Sequence, residues 1–316
     1  MPTIIIASQE PRAGRTAVTA GLGARLAAEG RTVRLARTRS AEGADAPAED
    51  DAQVLANVPG CSSTGKALTE QELLSEIQSA ADAIVLVEAS AGNPKALAER
   101  LNATVVLVTP DVGDEALGKL SAAAAELGET LIGVIAVRQQ GRVLQATAAT
   151  LEERGLTCLA VLPEDRLLAG PSPRELSEAL HASTLFEGES EDEAVEFVML
   201  GPVSADPGQP YFLQHGTKAV VNRFDKMDLH LAALATEPDC LILTGGQQPS
   251  PYLLDRVAGC DPPVTVLLAP DNTVRTIEVV DDLYGETRFG GQRKLDRAIE
   301  LANEHLDLSK ITAALA

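Results

Sequence analysis

Residues 3 to 16 read TIIIASQEPRAGRT, an apolar β-branched run followed by a short loop. The run predicts a buried strand, and the apolar residues that follow at helical spacing predict a helix ending near Gly30. A strand, a tight turn and a helix N-terminus together direct backbone N–H groups at phosphate oxygens. Gly14 allows close backbone approach, and Thr16 offers a hydroxyl to Mg²⁺. This stretch therefore predicts a phosphate-binding loop.

Two positions of the loop depart from the usual pattern Gly-x-x-x-x-Gly-Lys-Ser/Thr. Gln9 stands at the first glycine and Arg15 at the lysine. Arginine keeps the charge but presents a planar fork instead of a compact ammonium that bridges β- and γ-phosphates. From the pattern alone, a phosphate site and an ordinary strand, turn and helix both remain open.

The rest of the chain alternates apolar strands with helical segments. In the first half the strands are predicted at TIIIAS, TVRLAR, DAIVLVEAS, ATVVLVTP, LIGVIAV and GLTCLAVLPE. Strands apolar on both faces, alternating with helices, indicate a parallel sheet covered on both sides. Residues 39 to 52 are polar and predict a loop. The acidic run FEGESEDEAVE, residues 186 to 196, predicts a domain boundary, after which a smaller α/β unit follows.

Composition excludes several classes of function. The net charge of −20 disfavours nucleic acid and anionic lipid as partners, and aromatic residues, at 3%, offer few base-stacking platforms. No leader peptide and no apolar run of about 18 to 20 residues is visible, so we expect a cytoplasmic protein. Four dispersed cysteines and four dispersed histidines predict buried thiols rather than zinc ligands or a catalytic triad.

The N-terminal stretch SQEPRAGRTAVTAGLGARLAAEGRTVRLAR resembles the dethiobiotin synthetase-like P-loop domain at the N-terminus of long bacterial phosphotransacetylases. Later segments resemble that domain in the same order. The second half, from NRFDKMDLHLAALATEPDCLILTGG onward, resembles the DRTGG domain that follows it there. The resemblance covers nearly the entire chain and implies a doubly wound parallel P-loop sheet, residues 1–190, and a smaller α/β DRTGG-like domain, residues 191–316. The match leaves out the acetyltransferase domain of those proteins, so we expect a protein without it.

The resemblance also implies the binding residues. Those expected to contact a nucleotide or related ligand are Glu10, Gly14, Arg15, Thr16, Arg37, Glu88, Asp225, Lys226, Asp228, Thr244, Gly245 and Gly246. Thr16, Asp51 and Glu88 are the expected Mg²⁺ ligands, with ATP or a related nucleotide as cofactor.

Each of these positions has a plainer interpretation. Glu88 fits an ordinary capping carboxylate, Arg37 a surface arginine, and Asp51 a common helix-start carboxylate. Lys226 fits a surface ion pair with its neighbouring aspartates, and the glycines after Thr244 fit a simple turn.

Other departures from the family affect how closely the end of the acidic strand can approach a ligand, and which residue lies near the nucleotide base. Ala89 and Ala91 replace glycines, although Gly92 is retained, and Val137 replaces an asparagine often near the base. Lys226 replaces the arginine of the second motif.

Three functional hypotheses follow. The first is a regulatory protein with little or no catalysis, which binds a nucleotide or phosphate ligand and signals to a partner such as a separate acetyl-phosphate or acetyl-CoA enzyme. The second is an ATP-dependent ligase of the dethiobiotin synthetase type, using Mg-ATP phosphoryl transfer. The third is a scaffold that has lost its ligand. We also expect a homodimer formed through the C-terminal domain.

Overall fold

A computed structural model describes residues 2–39, 46–80, 82–90, 94–202 and 211–313. The chain folds into two compact units. The first comprises Met1–Asp165 and Leu295–Ala316, and the second comprises Arg166–Lys294. The predicted boundary near residue 190 lies inside the second unit, so the acidic run after Phe186 is part of that unit. Its residue Val195 is fully buried.

The first unit is built on a seven-stranded parallel sheet in the order β3-β2-β4-β1-β5-β6-β7. Strand β1, which precedes the loop, lies at the centre between β4 and β5. Because all strands run the same way, their carboxyl ends form one edge, where open α/β sheets place ligands. The strands are β1 Thr3–Ala7, β2 Val33–Thr38, β3 Cys61–Leu68, β4 Ile84–Glu88, β5 Thr104–Thr109, β6 Leu131–Gln139 and β7 Cys158–Pro163.

Strand β3 is missing from the sequence prediction because it lies at the sheet edge. Its first six residues, CSSTGK, alternate between exposed and half-buried positions and lack the β-branched apolar run of the other strands. Thr69 caps the next helix in a capping box with Glu72.

Helices cover the sheet of the first unit. They are α1 Arg15–Ala28, α2 Ala46–Ala56, α3 Glu70–Ser79, α4 Pro94–Leu101, α5 Asp114–Leu127 and α6 Leu144–Glu153, with α12 Gln292–His305 and α13 Leu308–Ala313 from the C-terminus. The predicted loop over residues 39 to 52 is wrong from Ala46 onward, where α2 begins; residues 40–45 lie outside the described residues. Ala48, Ala52 and Leu55 form the buried face of α2, a spacing that the polar residues between them hid.

Helix α12 packs closely on α1 within the first unit. A Cβ atom at Gly21 would lie 2.7 Å from the Cβ of Ala302 and 3.0 Å from the carbonyl oxygen of Ala298. Gly21 therefore allows α12 to lie against α1, the helix that begins at the loop.

The second unit contains a five-stranded sheet in the order β8-β12-β11-β10-β9, in which β8 is antiparallel to β12 and the others are parallel. Its strands are β8 Ser183–Phe186, β9 Phe197–Leu200, β10 Lys218–Arg223, β11 Cys240–Thr244 and β12 Thr265–Ala269. Its helices are α7 Arg166–Ala169, α8 Pro173–Ala179, α9 Met227–Leu234, α10 Pro251–Ala258 and α11 Thr273–Leu283. The sequence prediction of a smaller α/β unit in the second half of the chain is confirmed.

All four cysteines are free; Cys158 and Cys240 are buried, as expected, whereas Cys61 and Cys260 are only half-buried. Within the described part of the chain, no helix combines the length and apolar character needed to cross a membrane.

Candidate functional site

The loop between β1 and α1 presents the N-terminus of α1. Gly14 occupies the N-cap position in the left-handed region, at φ +83°, and among the described residues no side chain caps the helix. The first helical bond runs from Val18 N–H to Gly14 O, at 3.1 Å. The backbone N–H groups in the first turn of α1 therefore lie at the positive end of the helix. This is the arrangement that binds anions.

Arg15 lies across the loop instead of extending away from it. Its Nη1 donates to Ser8 Oγ at 2.7 Å, and its Nε lies 3.8 Å from Glu88 Oε1. Ser8 Oγ donates in turn to the carbonyl oxygen of Glu10, at 2.6 Å. The guanidinium thus connects the start of the loop with the end of β4.

Two adjacent strands, β2 and β4, and the helices α1 and α2 bring polar side chains together at the same edge. Arg37 on β2 is the register partner of Glu88 on β4, and its Nε lies 3.4 Å from Glu88 Oε1 and 3.3 Å from Asp51 Oδ2. Thr16 donates its hydroxyl to Glu88 Oε1 at 3.0 Å. We call these residues, with Arg15, the strand-edge cluster.

Burial dominates the electrostatics of this cluster. Glu88 is 1% exposed and Arg37 is 4% exposed. Burial raises the pKa of Glu88 to about 7; the charge of Asp51 adds to the rise, and Arg37 and Arg15 oppose it. Burial also raises the pKa of Asp51, against the opposing charge of Arg37. Ion pairing alone would lower both pKa values, so the loss of hydration outweighs the guanidiniums.

The contacts of the cluster do not suit the predicted Mg²⁺ site. Mg²⁺ needs oxygen ligands in near-octahedral geometry at about 2.0 to 2.1 Å. Thr16 directs its hydroxyl hydrogen to Glu88, and Arg37 contacts both predicted carboxylate ligands. Within the described ranges no group of three or more His, Cys, Asp or Glu is placed to hold a metal. As placed, these residues do not fit Mg²⁺.

The remaining predicted residues of the first unit lie apart from the cluster. Glu10 is half-buried and lines a small pocket with Thr109 and Lys119, at the end of β5 and beside α5. Ala89 is buried directly after Glu88. Ala91 and Gly92 lie outside the described residues.

The two motifs of the second unit lie at one edge of its sheet. Arg223 at the end of β10 is the register partner of Thr244 at the end of β11. Asp225 forms an ion pair with Arg223, which holds its pKa at about 2. Lys226 is the N-cap residue of α9, and Asp228 lies in the first turn of that helix. The partner of Asp225 is therefore Arg223 rather than Lys226.

The amides after Thr244 are used within the second unit. Gly245 N–H donates to Asp271 O at 2.7 Å, and Gly246 N–H donates to Ala269 O at 3.0 Å. The two residues have φ values of +101° and +67°, which favour glycine. Thr244 Oγ1 lies 2.7 Å from Thr273 Oγ1. These contacts connect the end of β11 with the end of β12 and the segment after it. Because the amides of Gly245 and Gly246 donate to carbonyl oxygens, they are not available to bind an anion.

Residues 175–283 match the family model of the DRTGG domain. This chain carries a DRTGG domain. The first unit has the parallel sheet and the strand–loop–helix segment expected of a P-loop domain, and the second unit carries the DRTGG domain.

Curated relatives include a phosphate acetyltransferase from Nitratidesulfovibrio vulgaris. It is 28% identical over 163 residues, which are 49% of this chain and 23% of that protein. The chain thus spans about a quarter of the length of that relative.

The solved structures that resemble this chain have low sequence identity to it and low TM-scores. One is the CBS and DRTGG regulatory region of Clostridium perfringens pyrophosphatase complexed with diadenosine tetraphosphate, with 12% identity, a TM-score of 0.31, and coverage of 49% of this chain and 76% of that one. Another is the cell division protein MinD of Aquifex aeolicus, with 17% identity, a TM-score of 0.39, and coverage of 53% and 84%. A third is an ADP-bound nucleotide-binding protein of Archaeoglobus fulgidus, with 12% identity, a TM-score of 0.37, and coverage of 52% and 82%. TM-scores this low carry no argument about ligands.

Buried polar residues of the DRTGG domain escaped the sequence prediction. Asn222 is 3% exposed and His230 is fully buried. His230 Nε2 lies 3.0 Å from the carbonyl oxygen of Arg223, while Asn222 Nδ2 and His230 Nδ1 have no hydrogen-bond partner among the described residues.

Proposed function

We propose that this protein binds a nucleotide or a related phosphate-bearing ligand at the loop between β1 and α1, and that its role is regulatory rather than catalytic. The observation that carries the proposal is the N-terminus of α1, which begins after Gly14, has no side-chain cap from the described residues and has the guanidinium of Arg15 beside it. Helix N-termini and guanidiniums both bind phosphate groups in proteins.

Little or no catalysis is expected because phosphoryl transfer needs electrostatic stabilisation by a lysine and Mg²⁺ at the γ-phosphate. Arg15 stands at the position of that lysine, and the carboxylates that would hold Mg²⁺ contact guanidiniums. The alternative of an ATP-dependent ligase is therefore not favoured.

The DRTGG domain and the phosphate acetyltransferase relative support a regulatory role like that of the N-terminal region of phosphotransacetylase. The partner that we propose is a separate enzyme of acetyl-phosphate or acetyl-CoA metabolism. The DRTGG domain would also form a homodimer. Strand β9 lies at the edge of its sheet; its last residue, Leu200, is 47% exposed, and Leu213, in the short helical turn Phe212–Gln214, is 66% exposed. An exposed apolar edge of this kind is commonly covered by another chain.

Calorimetry with ADP and ATP, combined with an assay for phosphate release, tests the proposal. We expect saturable binding, weakened at least tenfold by Arg15→Ala because a charge-assisted hydrogen bond contributes about 1.5 to 3 kcal/mol. The matched control is Arg31→Ala, an equal loss of charge at an exposed position just after α1. We expect no phosphate release above that of a protein-free control. Absence of binding by the wild-type protein would refute the proposal.

A further inference from the structure

The strand-edge cluster concentrates its contacts on one carboxylate oxygen. Glu88 Oε1 accepts the hydroxyl hydrogen of Thr16 at 3.0 Å, and the Nε atoms of Arg37 and Arg15 lie 3.4 Å and 3.8 Å from it. In a Mg²⁺-dependent site this carboxylate would bind the metal ion. Here it is contacted by the guanidinium groups of Arg37 and Arg15 instead.

The cluster contains two guanidiniums and two carboxyl groups. Arg15 and Arg37 carry positive charges, and Asp51 and Glu88 are the acidic residues they contact. Arg37 is almost completely buried and held by both carboxylates, and it also donates Nη1 to the carbonyl oxygen of Thr38 at 2.8 Å. A guanidinium held by three acceptors is a fixed part of the site, because each contact would have to be replaced if it left.

We propose that the loop binds the phosphate chain of a nucleotide in its metal-free form, with the guanidiniums of Arg15 and Arg37 supplying the positive charge that Mg²⁺ supplies elsewhere. This inference rests on the function proposed above and specifies the ligand species that the same site accepts.

The geometry favours this species for two reasons. Arg15 is the first residue of α1, so its side chain and the first-turn amides start from the same point and can contact one phosphate. The planar fork of arginine also matches phosphate oxygens in pairs, whereas lysine acts as a point charge that works together with a metal. Mg²⁺ bound to the phosphates would stand among guanidiniums and be repelled by them.

The test is calorimetry with ADP as the probe, carried out on the full chain once in excess EDTA and once in excess Mg²⁺. We expect the affinity in EDTA to equal or exceed that in Mg²⁺. Binding that appears only with Mg²⁺ would overturn this inference and leave the proposed function standing. Absence of binding under both conditions would overturn both.

A second measurement uses Mn²⁺ alone, detected by electron paramagnetic resonance. We expect the wild-type protein to bind no Mn²⁺ at this cluster and Arg37→Gln to bind it, because that substitution removes the guanidinium from Asp51 and Glu88. Tight Mn²⁺ binding by the wild-type protein, lost in Glu88→Gln, would overturn the inference.

If Arg37→Gln fails to fold, as judged by circular dichroism, Arg15→Lys takes its place. We then expect Mg²⁺ to raise the affinity of the variant for ATP by about tenfold, the factor that corresponds to 1.4 kcal/mol. An Arg15→Lys variant as indifferent to Mg²⁺ as the wild-type protein would contradict the role given to Arg15.

Discussion

Replacing Glu88 by glutamine should change how the stability of the protein depends on pH. Burial raises the pKa of Glu88 from its ordinary value of 4.5 to about 7 in the folded state. In the unfolded chain the side chain loses its proton near its ordinary pKa, and in the folded chain only near the raised one. Between these two values the unfolded state therefore binds fewer protons. The contribution of Glu88 to stability is fully present below pH 4.5 and is lost as the pH rises through about 7.

The size of the effect follows from the separation of the two pKa values. Each pKa unit corresponds to about 1.4 kcal/mol, so the wild-type protein should lose about 3 kcal/mol from this side chain between the two limits. Glutamine does not titrate. Hence the free energy of unfolding of Glu88→Gln, minus that of the wild-type protein, should increase by about 2 to 3 kcal/mol as the pH rises from about 5 to 8.

Urea unfolding of both proteins across this pH range measures this difference in free energy of unfolding. The other titrating groups are the same in both proteins, so their contributions cancel in the difference. The matched control is Glu76→Gln, which removes a partly exposed carboxylate that accepts from Arg34 at 2.8 Å; its difference should stay within about 1 kcal/mol because exposed pairs contribute little. A Glu88→Gln difference that is flat, or that falls with rising pH, would show that the guanidiniums keep Glu88 charged throughout and that pairing outweighs burial.

Three other outcomes are expected. Arg15→Lys should strengthen ATP binding in Mg²⁺, or raise basal hydrolysis, because it restores a compact ammonium; a calorimetric titration that shows abolished binding would make Arg15 a specialised ligand contact. The full chain should sediment as a homodimer that Leu213→Glu dissociates and the control Leu74→Glu, on the first unit, does not; a wild-type monomer at micromolar concentration would contradict this. ADP bound at the loop should alter hydrogen exchange at residues 223–246. The expected coupling free energy is about 1 to 3 kcal/mol, and a ligand of the DRTGG domain must change the affinity for ADP by the same factor as ADP changes the affinity for that ligand. Protection confined to the first unit would show two independent modules.

The strands that could be predicted are those that lie inside a sheet. Buried on both faces, the strands that contain Ile5, Val106 and Ile242 carry uninterrupted apolar runs, and such runs are visible in one sequence. Strand β3 and helix α2 are half-exposed, and their polar residues conceal the periodicity. Neither can be assigned until it is known which neighbour covers its apolar positions.

The candidate site was predictable in its composition but not in its contacts. Thr16, Arg37 and Glu88 follow from resemblance and from the rule that carboxyl ends of parallel strands share an edge. That the hydroxyl of Thr16 and both guanidiniums converge on one oxygen of Glu88 depends on side-chain rotamers and burial, which a sequence does not state. The same holds for Gly245 and Gly246, whose amides looked available and instead bind carbonyl oxygens.

Arg15 invites two interpretations, and the structure separates them. A loop that had decayed after losing its ligand would be expected to leave Arg15 exposed and unrelated to its neighbours, since a surface arginine costs nothing to keep. Arg15 instead has a side chain that is 10% exposed, donates to Ser8 and lies beside a carboxylate that is 1% exposed. Burying a guanidinium costs several kcal/mol unless its contacts compensate, so a buried arginine held by the loop and by β4 is the mark of a site organised around it. Such an organisation favours a ligand-binding loop with altered chemistry over a scaffold that has lost its ligand.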